Sequence, residues 1–339
     1  ERIEQFYSEE NSSPVVTTLL PPRDEGTPLA LPRPKPHPTP LTSATVTGLA
    51  RYLACPYTYY LEHVLKAREV HDHHDELDPL SFGNRLHKVL EEFGRNPSHA
   101  GLDDPTEVTT VLHDLLRGQM RRAHGTDPAA VVRIQEEMMR ERLEWFAEWQ
   151  AVQVADGWRI QGVEKKIPHD APNFSMKGLE FTLRATIDRI DVHEDGKRVR
   201  IIDYKTGERG DSPEQVHRSG TKNNKKWKSL QLPIYRHLAP LLGVAGTIEV
   251  GFVTLSRDRN APIYQPALWS EDEFAGAIAI ARDVARKIHA QVFWPPAQLT
   301  APWDAHFRGE RDTGALARFY EVGQREQAME EQSLQREKS

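Results

Sequence analysis

The chain has 339 residues, of which 38% are hydrophobic and 28% are charged, and its formal net charge is −6. This length accommodates one large domain or two small ones, and the negative net charge argues against a protein that coats DNA without specificity. No apolar run approaches the roughly 20 residues of a membrane span, the first thirty residues lack the pattern of a signal peptide, and Cys55 is the only cysteine, which excludes an intrachain disulfide and favours a reducing compartment.

The two ends of the chain differ in composition from its middle. The first forty residues carry nine prolines and end in LPRPKPHPTP. Alternating prolines are incompatible with a helix and favour an extended polyproline path. We therefore predict that residues 1–40 form a linker or extended arm that docks in part on the domain. Residues 311–339 are predicted to be a charged tail, which leaves residues 41–310 as the domain.

Hydrophobic periodicity predicts a helical first half and a β-rich second half of this domain. The predicted helices cover residues 43–66 (as a pair), 79–94, about 106–123, about 128–154, 228–242 and 270–290. The predicted strands lie between residues 158 and 205, with a further strand at 246–255. Together these elements predict an α/β domain with a central mixed β-sheet flanked by helices and a helical N-terminal half.

Capping residues support several of the predicted helix starts. Ser43 or Thr45 is expected to cap the first helix, and Pro56 is expected to begin the second. The pair Asp127-Pro128 predicts the start of the helix at 128–154. Ser270 and the acids that follow it form a capping box for the last helix.

The most informative stretch reads IDRIDVHEDGKRVRIIDYKTG. Its two apolar runs are joined by a polar turn, and they carry Asp188 in the first run and Asp203 with Lys205 at the end of the second. Residues i and i+2 of a strand share a face, so Asp203 and Lys205 project together and a hairpin brings Asp188 beside them. Two carboxylates can hold a divalent metal, and a lysine can steady an attacking water or a phosphate. Metal-dependent phosphodiester cleavage needs this chemistry.

Four further motifs surround this stretch in a fixed order. They are the Cys-Pro-aromatic motif in TSATVTGLARYLACPYTYYLEHVL, Gly83 and His87 in FGNRLHKVLEEF, the strand pair GVEKKI and ATIDRID, and Gln231 with Tyr235 in LQLPIY. A lone Asp-x-Lys occurs by chance in many proteins. The ordered set is far more specific, and over roughly residues 41–296 it resembles the PD-(D/E)XK nuclease superfamily, in particular its RecB/AddB-like branch of bacterial helicase–nucleases.

The resemblance implies a restriction-endonuclease-like core and a Mg²⁺- or Mn²⁺-dependent deoxyribonuclease. It assigns the metal to Asp188, Asp203, His87 and the Tyr204 carbonyl. It also implies that Lys205 positions the water and stabilises charge on the phosphate, and that Gln231 and Tyr235 support Lys205 or contact the DNA backbone.

Two residues are ambiguous from the pattern alone. A lone histidine such as His87 is by default a structural, hydrogen-bonded residue, and only the family motif moves it to the site. Glu164 lies in a predicted strand, where a position on the surface fits the pattern as well as a position in the site.

The segment between the Asp-Tyr-Lys strand and the Gln-x-x-x-Tyr helix is basic. RSGTKNNKKWK (residues 218–228) contains five basic residues, no acid and one tryptophan. Taken alone, such a segment is a solvated loop, but its place beside the motif favours contact with a DNA backbone and a stacked base. The predicted DNA-binding residues are Lys222, Lys225, Lys226, Trp227 and Lys228.

The cysteines depart from the AddB-type pattern, in which four cysteines hold an iron–sulfur cluster. Cys55 matches the first of the four, but FWPPAQLTAPWDAHFRG (residues 293–309) contains none. One thiol does not ligate a cluster, so no iron–sulfur cluster is expected. Trp303, His306 and Phe307 fall where the missing ligands would be. Packing and hydrogen bonds are expected to replace the cluster, with Cys55 as a small buried side chain.

The expected function is exonucleolytic cleavage of single strands, as the C-terminal nuclease module of a helicase–nuclease in DNA recombination and repair. The expected partners are DNA and a helicase portion in the same polypeptide or complex, in the cytoplasm at the nucleoid, with no membrane. One alternative is a stand-alone nuclease of the CRISPR-associated or phage type. Another is a non-catalytic DNA-binding module of a repair complex, against which the intact Asp188, Asp203 and Lys205 set argues.

Overall fold

The computed structural model describes residues 33–67, 76–176, 178–221 and 224–295. The helices are α1 (Val46–Ala54), α2 (Pro56–Tyr59) with a π-helical turn after it (Tyr60–Val64), α3 (Pro79–Arg95), α4 (Pro97–Ala100), α5 (Pro105–His124), α6 (Ala130–Ala155), α7 (Pro213–His217), α8 (Gln231–Leu238) with a 3₁₀ turn after it (Ala239–Leu242), and α9 (Glu271–His289). The strands are β1 (Ser43–Thr45), β2 (Trp158–Lys166), β3 (Thr182–Arg184), β4 (Thr186–His193), β5 (Arg198–Lys205), β6 (Arg218–Thr221), β7 (Asn224–Trp227), β8 (Thr247–Thr254) and β9 (Tyr264–Pro266). No helix within these described ranges is long and apolar enough to cross a membrane.

A five-stranded sheet in the order β2-β4-β5-β8-β9 forms the centre of the domain. β5 and β8 are parallel, whereas the other neighbouring pairs are antiparallel. A parallel pair needs a crossover connection, and the chain between β5 and β8 supplies it with α7, the β6–β7 hairpin and α8. The predicted α/β class with a mixed central sheet is therefore confirmed.

Both faces of β5 are buried by helices. Ile201 packs in a hydrophobic cluster with residues of α1, α8 and α9, while Ile202 and Tyr204 pack in a second cluster with residues of α3, α5 and α6. Successive side chains of a strand point to opposite faces, so one strand takes part in both clusters. This burial fixes the end of β5, where Asp203 and Lys205 lie.

The helix caps agree with the predictions at most positions. Thr45 accepts a hydrogen bond from Gly48 N at 3.0 Å and caps α1, and Pro56 begins α2. The capping box that begins at Ser270 is present. The helix predicted from Asp127-Pro128 begins instead at Ala130, and Asp127 accepts a hydrogen bond from Arg133.

Three short pairings were not predicted. The basic segment predicted as a loop contains the antiparallel β6–β7 hairpin, in which Gly220 has a φ of +106° that favours glycine. β1 and β3 pair in parallel as a separate two-stranded ribbon, and β9 extends the main sheet. The partners of β1 and β9 lie outside the segment itself, and the local pattern of a three-residue strand does not identify its partner.

Aromatic packing joins the Cys-Pro-aromatic region to the segment after α9. The Tyr52 hydroxyl donates a hydrogen bond to Val292 O at 2.5 Å, and the Phe293 ring centroid lies 5.6 to 6.3 Å from the rings of Tyr52, Tyr59 and Tyr60. Cys55 is buried in the same cluster, as predicted. Packing and a hydrogen bond thus connect the two ends of the domain at residues 292–293.

Part of the proline-rich arm docks beside this connection. His37 N donates a hydrogen bond to Gln291 Oε1 at 2.6 Å, and Gln291 Nε2 donates one to His37 O at 3.1 Å. The other predictions for the ends of the chain lie outside the described residues. They concern the arm up to residue 32, Trp303, His306, Phe307 and the tail at 311–339.

Candidate active site

Asp188 and Asp203 meet where the β4–β5 ladder ends. Arg189 pairs with Ile202 in the antiparallel register, so the next position of each strand places Asp188 opposite Asp203. Asp188 Oδ2 accepts a hydrogen bond from the backbone N–H of Tyr204 at 2.8 Å. The two carboxylate side chains are only 13% and 4% exposed. The hairpin therefore brings the two predicted acids together in a largely buried place.

His87 and Glu164 complete an acidic cluster with Asp188. One ligand atom from each of these three side chains lies within 4.8 Å of the others, and His87 Nδ1 is 3.5 Å from Asp188 Oδ2. His87 comes from α3 and Glu164 from β2. Glu164 has a φ of +48°, a strained conformation for a residue with a side chain, which costs on the order of 1–3 kcal/mol. Backbone strain of this kind is frequent at residues of functional sites.

Lys205 and Gln231 surround the second carboxylate. Lys205 Nζ lies 2.7 Å from Asp203 Oδ2 and 3.3 Å from Gln231 Oε1. The Gln231 amide nitrogen donates hydrogen bonds to Asp203 Oδ1 at 2.6 Å and to the Tyr235 hydroxyl at 3.0 Å. One side-chain amide thus bridges the acid and the lysine, and Tyr235 fixes the orientation of that amide. All four predicted residues meet in one network.

The site concentrates negative charge in a place where the two aspartates are largely buried. Burial, and then the Asp203 carboxylate, raises the pKa of Asp188 well above its usual value. Burial and the Glu91 carboxylate raise the pKa of Glu164. Burial lowers the pKa of His87, which favours the neutral imidazole that a metal binds. The charged forms of the two acids are therefore unfavourable here unless a cation joins them.

The donor set fits a hard divalent cation. Carboxylate oxygens and one neutral imidazole are ligands that Mg²⁺ or Mn²⁺ accepts. Asp203 Oδ2 is buried without an aligned hydrogen-bond donor, although the Lys205 ammonium is close. A buried carboxylate oxygen that no aligned N–H or O–H group reaches is the kind of atom that a further cation stabilises. His87, Glu164, Asp188 and Asp203 could together hold such an ion.

The Tyr204 side chain points away from the acids into the hydrophobic cluster that β5 forms with α3, α5 and α6. Burial raises the pKa of its phenol to about 12, and the Arg189 guanidinium beside it acts in the opposite direction. Its ring centroid lies 5.6 Å from the His87 ring in an edge-on contact, which helps to orient the imidazole. The predicted role of the Tyr204 carbonyl as a metal ligand stays a prediction.

The basic residues predicted to bind DNA lie on or beside the β6–β7 hairpin. Lys225 Nζ pairs with Glu214 Oε1 at 2.5 Å, and the half-buried Trp227 ring packs against Trp269 with a centroid separation of 4.8 Å. Lys226 is exposed and Lys228 is half-buried. Lys222 lies outside the described residues. The ring contact leaves less of Trp227 free for base stacking than the sequence predicts.

His217 joins this hairpin to the helix that carries Gln231. It is fully buried. Its Nε2 accepts a hydrogen bond from Leu232 N at 3.2 Å, and its Nδ1 donates one to Pro213 O at 3.0 Å. The hydrogen bond that Nε2 accepts requires the neutral ring, and burial lowers the pKa of His217 to about 3. A neutral histidine thus satisfies a free N–H in the first turn of α8.

This arrangement predicts a specific pH dependence of stability. Between about pH 6.5 and about pH 3 the unfolded chain protonates His217 and the folded chain does not, so the free energy of unfolding falls as pH falls, by at most about 1.4 kcal/mol per pH unit. The variant His217→Gln should be less stable near neutral pH but lose less stability on acidification. Urea unfolding across this range checks it, and parallel curves for the two proteins would contradict it.

A cavity in the described part of the chain lies away from this cluster. It measures about 680 Å³ and is lined by residues of α8, α9 and the amino end of β8, among them Arg236, Thr247 and Arg282. Asp203 pairs with Phe252 near the opposite end of β8. The acidic cluster, with its convergent ligands, is therefore the better candidate for the chemistry.

Glu164 is the site residue that the sequence left undecided. Its motif, GVEKKI, contains one acid on a predicted strand, and the spacing to Asp188 does not show which face that acid occupies. The structure places it through the pairing of β2 with β4, in which Val163 lies opposite Arg189 and Lys165 opposite Ile187. Glu164 thus sits level with Asp188.

Comparison with known proteins identifies the family of the chain. Three proteins named as subunits of an ATP-dependent helicase/deoxyribonuclease are 28%, 27% and 26% identical to the chain over 182, 193 and 187 residues, and they come from Carboxydothermus hydrogenoformans, Clostridium perfringens and a Thermoanaerobacter species. These alignments cover 48% to 50% of this chain but only 15% to 16% of each relative. The family model of the PD-(D/E)XK nuclease superfamily matches residues 43–301. The chain therefore belongs to the PD-(D/E)XK nuclease superfamily.

Proposed function

We propose that this domain hydrolyses phosphodiester bonds of DNA with the help of Mg²⁺ or Mn²⁺. The observation that carries the proposal is the convergence of His87, Glu164 and Asp188 beside Asp203 and Lys205. The first four supply ligands for a cation, and the fifth supplies a positive charge that a phosphate or an attacking water can meet. The membership of the family agrees with this chemistry.

Each residue of the network has a separate task in this proposal. A bound divalent cation would lower the pKa of water and neutralise charge on the phosphate. Lys205 donates a hydrogen bond to the attacking water or to a non-bridging phosphate oxygen, where negative charge develops. Gln231 orients the side chains of Lys205 and Asp203 relative to each other, because its amide contacts both. Tyr235 anchors Gln231 through its hydroxyl.

The biological setting is proposed from the relatives. They are named as helicase/deoxyribonuclease subunits, and their alignments with the chain cover about one sixth of their length. We infer that this domain acts as the nuclease module of a helicase–nuclease in DNA recombination and repair, with a helicase portion in the same polypeptide or complex. The substrate would then be a strand fed from a DNA end, cut exonucleolytically at the bacterial nucleoid.

A cleavage assay tests the proposed function. Linear single-stranded and duplex DNA, labelled at one end, would be incubated with the protein in Mg²⁺, Mn²⁺, Ca²⁺ or excess chelator. We expect products in Mg²⁺ or Mn²⁺, binding with little turnover in Ca²⁺, and no products in chelator. Full activity in chelator would contradict the metal mechanism. Binding without cleavage under every condition would instead indicate a non-catalytic module.

The hairpin lysines give a prediction about DNA affinity. Replacing Lys225, Lys226 and Lys228 with glutamine should weaken binding to single strands and lower the slope of log affinity against log salt by roughly 0.7 for each phosphate that is no longer bound. A matched control replaces three exposed cations outside the hairpin, Arg121, Lys197 and Arg286. Fluorescence anisotropy at several salt concentrations measures both. An unchanged salt slope in the hairpin variant would indicate that these lysines are solvated surface residues that do not contact DNA.

A further inference from the structure

A second polar cavity lies beside the β1–β3 ribbon, and the mechanism above does not use it. It measures about 200 Å³. We call it the ribbon pocket; its described lining includes His37, Thr45, Tyr59, His63, Lys66 and Arg184. The volume exceeds the roughly 30 Å³ share of one water molecule several times. A phosphate group fits within it.

Positive groups converge on the ribbon pocket. No acid occurs among its described lining residues, and neither Lys66 nor Arg184 has an ion-pair partner in the described part of the chain. His63 lines the same pocket, and burial, followed by the charges of Lys66, Arg51 and Arg184, lowers its pKa. The Tyr59 ring stacks on His63 with centroids 4.7 Å apart and holds the imidazole in place.

The start of α1 adds to this field. Thr45 lines the pocket and is the N-cap of α1, whose first turn carries no acid. The amino end of a helix carries a partial positive charge. It reinforces the charges of Lys66 and Arg184, so several independent features of the pocket favour an anion.

One face of the chain leads from this pocket to the acidic cluster. β3 and β4 are separated by Ala185 alone. Leu183 and Ile187 are buried, whereas Arg184 is exposed and Thr186 and Asp188 are partly exposed. Alternation along an extended chain therefore puts Arg184, Thr186 and Asp188 on one face. Four residues at about 3.3 Å each separate Arg184 from Asp188 by roughly 13 Å along the chain, a distance that a few nucleotides of a DNA strand span.

We propose that the ribbon pocket is a phosphate subsite that holds one backbone or terminal phosphate of the DNA strand whose scissile bond lies at the acidic cluster. The assignment rests on the proposed function, because it takes the bound strand to be the substrate. Arg184 and Lys66 bind the phosphate oxygens, and the subsite fixes the register of the strand a few nucleotides from the point of cleavage.

Binding measurements in Ca²⁺ test the subsite directly. The variant Arg184→Gln with Lys66→Gln should bind a labelled single-stranded oligonucleotide about 10-fold more weakly, which corresponds to the loss of charged hydrogen bonds to one phosphate. Its log–log salt slope should fall by about 0.7, since one phosphate is no longer bound. The control Arg121→Gln with Lys197→Gln changes net charge equally and should bind like the wild type. Thermal melting confirms that both variants fold.

The form of the DNA separates the two sources of phosphate. If the pocket holds a terminal phosphate, the wild type binds a 5′- or 3′-phosphorylated oligonucleotide more tightly than one with hydroxyl ends, and the double variant loses that difference. If it holds an internal phosphate, one methylphosphonate a few nucleotides from the cut weakens binding to the wild type, but not to the double variant. Either pattern supports the subsite.

Equal affinity and equal salt slope in the wild type and the double variant would overturn the subsite, whatever the cleavage assay shows. Failure of the proposed function looks different. In that case the double variant still loses affinity, but the wild-type protein releases no products in Mg²⁺ or Mn²⁺.

Discussion

Replacing Lys205 with methionine is expected to lower the rate of DNA cleavage by about 10²–10³-fold, the usual cost of removing one donor that stabilises charge in a transition state. DNA binding should change little. In the wild type the Lys205 ammonium lies 4.7 Å from the centre of the Phe252 ring. Because a methionine side chain is apolar and of similar length, it can pack against the same ring, and the fold should tolerate the change. Single-turnover cleavage, with DNA binding measured in Ca²⁺ at the same salt concentration, separates rate from affinity.

Metal affinity distinguishes this role of Lys205 from that of a ligand. The ammonium lies 2.7 Å from Asp203 Oδ2, so its removal leaves the cluster more negative and should leave Mn²⁺ binding equal or tighter. The exposed Lys197 provides a matched control, and Lys197→Met should cleave at the wild-type rate. Cleavage by Lys205→Met at the wild-type rate, or a loss of Mn²⁺ affinity parallel to the loss of rate, would show that the role is wrong.

The acids should show the opposite pattern. Glu164→Gln or Asp188→Asn is expected to weaken Mn²⁺ binding by at least about 10–100-fold, since changes around metal ligands commonly cost that much, and to reduce cleavage accordingly. In Asp188→Asn, the amide oxygen of the new side chain would still accept a hydrogen bond from the Tyr204 N–H, which Asp188 binds at 2.8 Å. Calorimetry with Mn²⁺ and the cleavage assay measure the two effects.

The same variants should be more stable than the wild type when no metal is present. Both acids have a raised pKa because burial disfavours their charge. A carboxyl group with a pKa that is higher in the folded state destabilises the fold above the ordinary carboxyl pKa, and neutral amides remove that penalty. Melting in chelator near neutral pH should therefore give a higher Tm for Glu164→Gln. The exposed Glu194 serves as the control. A lower Tm for Glu164→Gln together with intact Mn²⁺ binding would contradict the assignment.

The residues whose proximity could be predicted from sequence are those on adjacent segments. Asp188, Asp203 and Lys205 lie on one hairpin, so alternation and a polar turn were enough to bring them together. Gln231 and Tyr235 are one helical turn apart, and their shared face follows from the period of the helix. The network that joins them to Lys205 uses these faces.

The parts that sequence did not predict depend on distant contacts or on unusual backbone. The position of Glu164 follows from its φ of +48° and from the pairing of β2 with β4. The local sequence GVEKKI predicts neither of them. The ribbon pocket needs Thr45 beside Arg184, a pairing across more than a hundred residues. The role of His217 is equally hidden, since a lone histidine in a basic segment gives no sign that it is buried against α8.

Parallel measurement of bound Mn²⁺ and of cleavage in one sample tests the central claim most directly. Mn²⁺ would be titrated into the protein in the presence of saturating DNA, and electron paramagnetic resonance would measure the free Mn²⁺. The initial rate of product release would be recorded at each Mn²⁺ concentration. If the acidic cluster holds the cation that supports hydrolysis, rate and bound Mn²⁺ rise together in the wild type and are lost together in Asp188→Asn. Cleavage at full rate before Mn²⁺ is bound, or in Asp188→Asn without bound Mn²⁺, would contradict it.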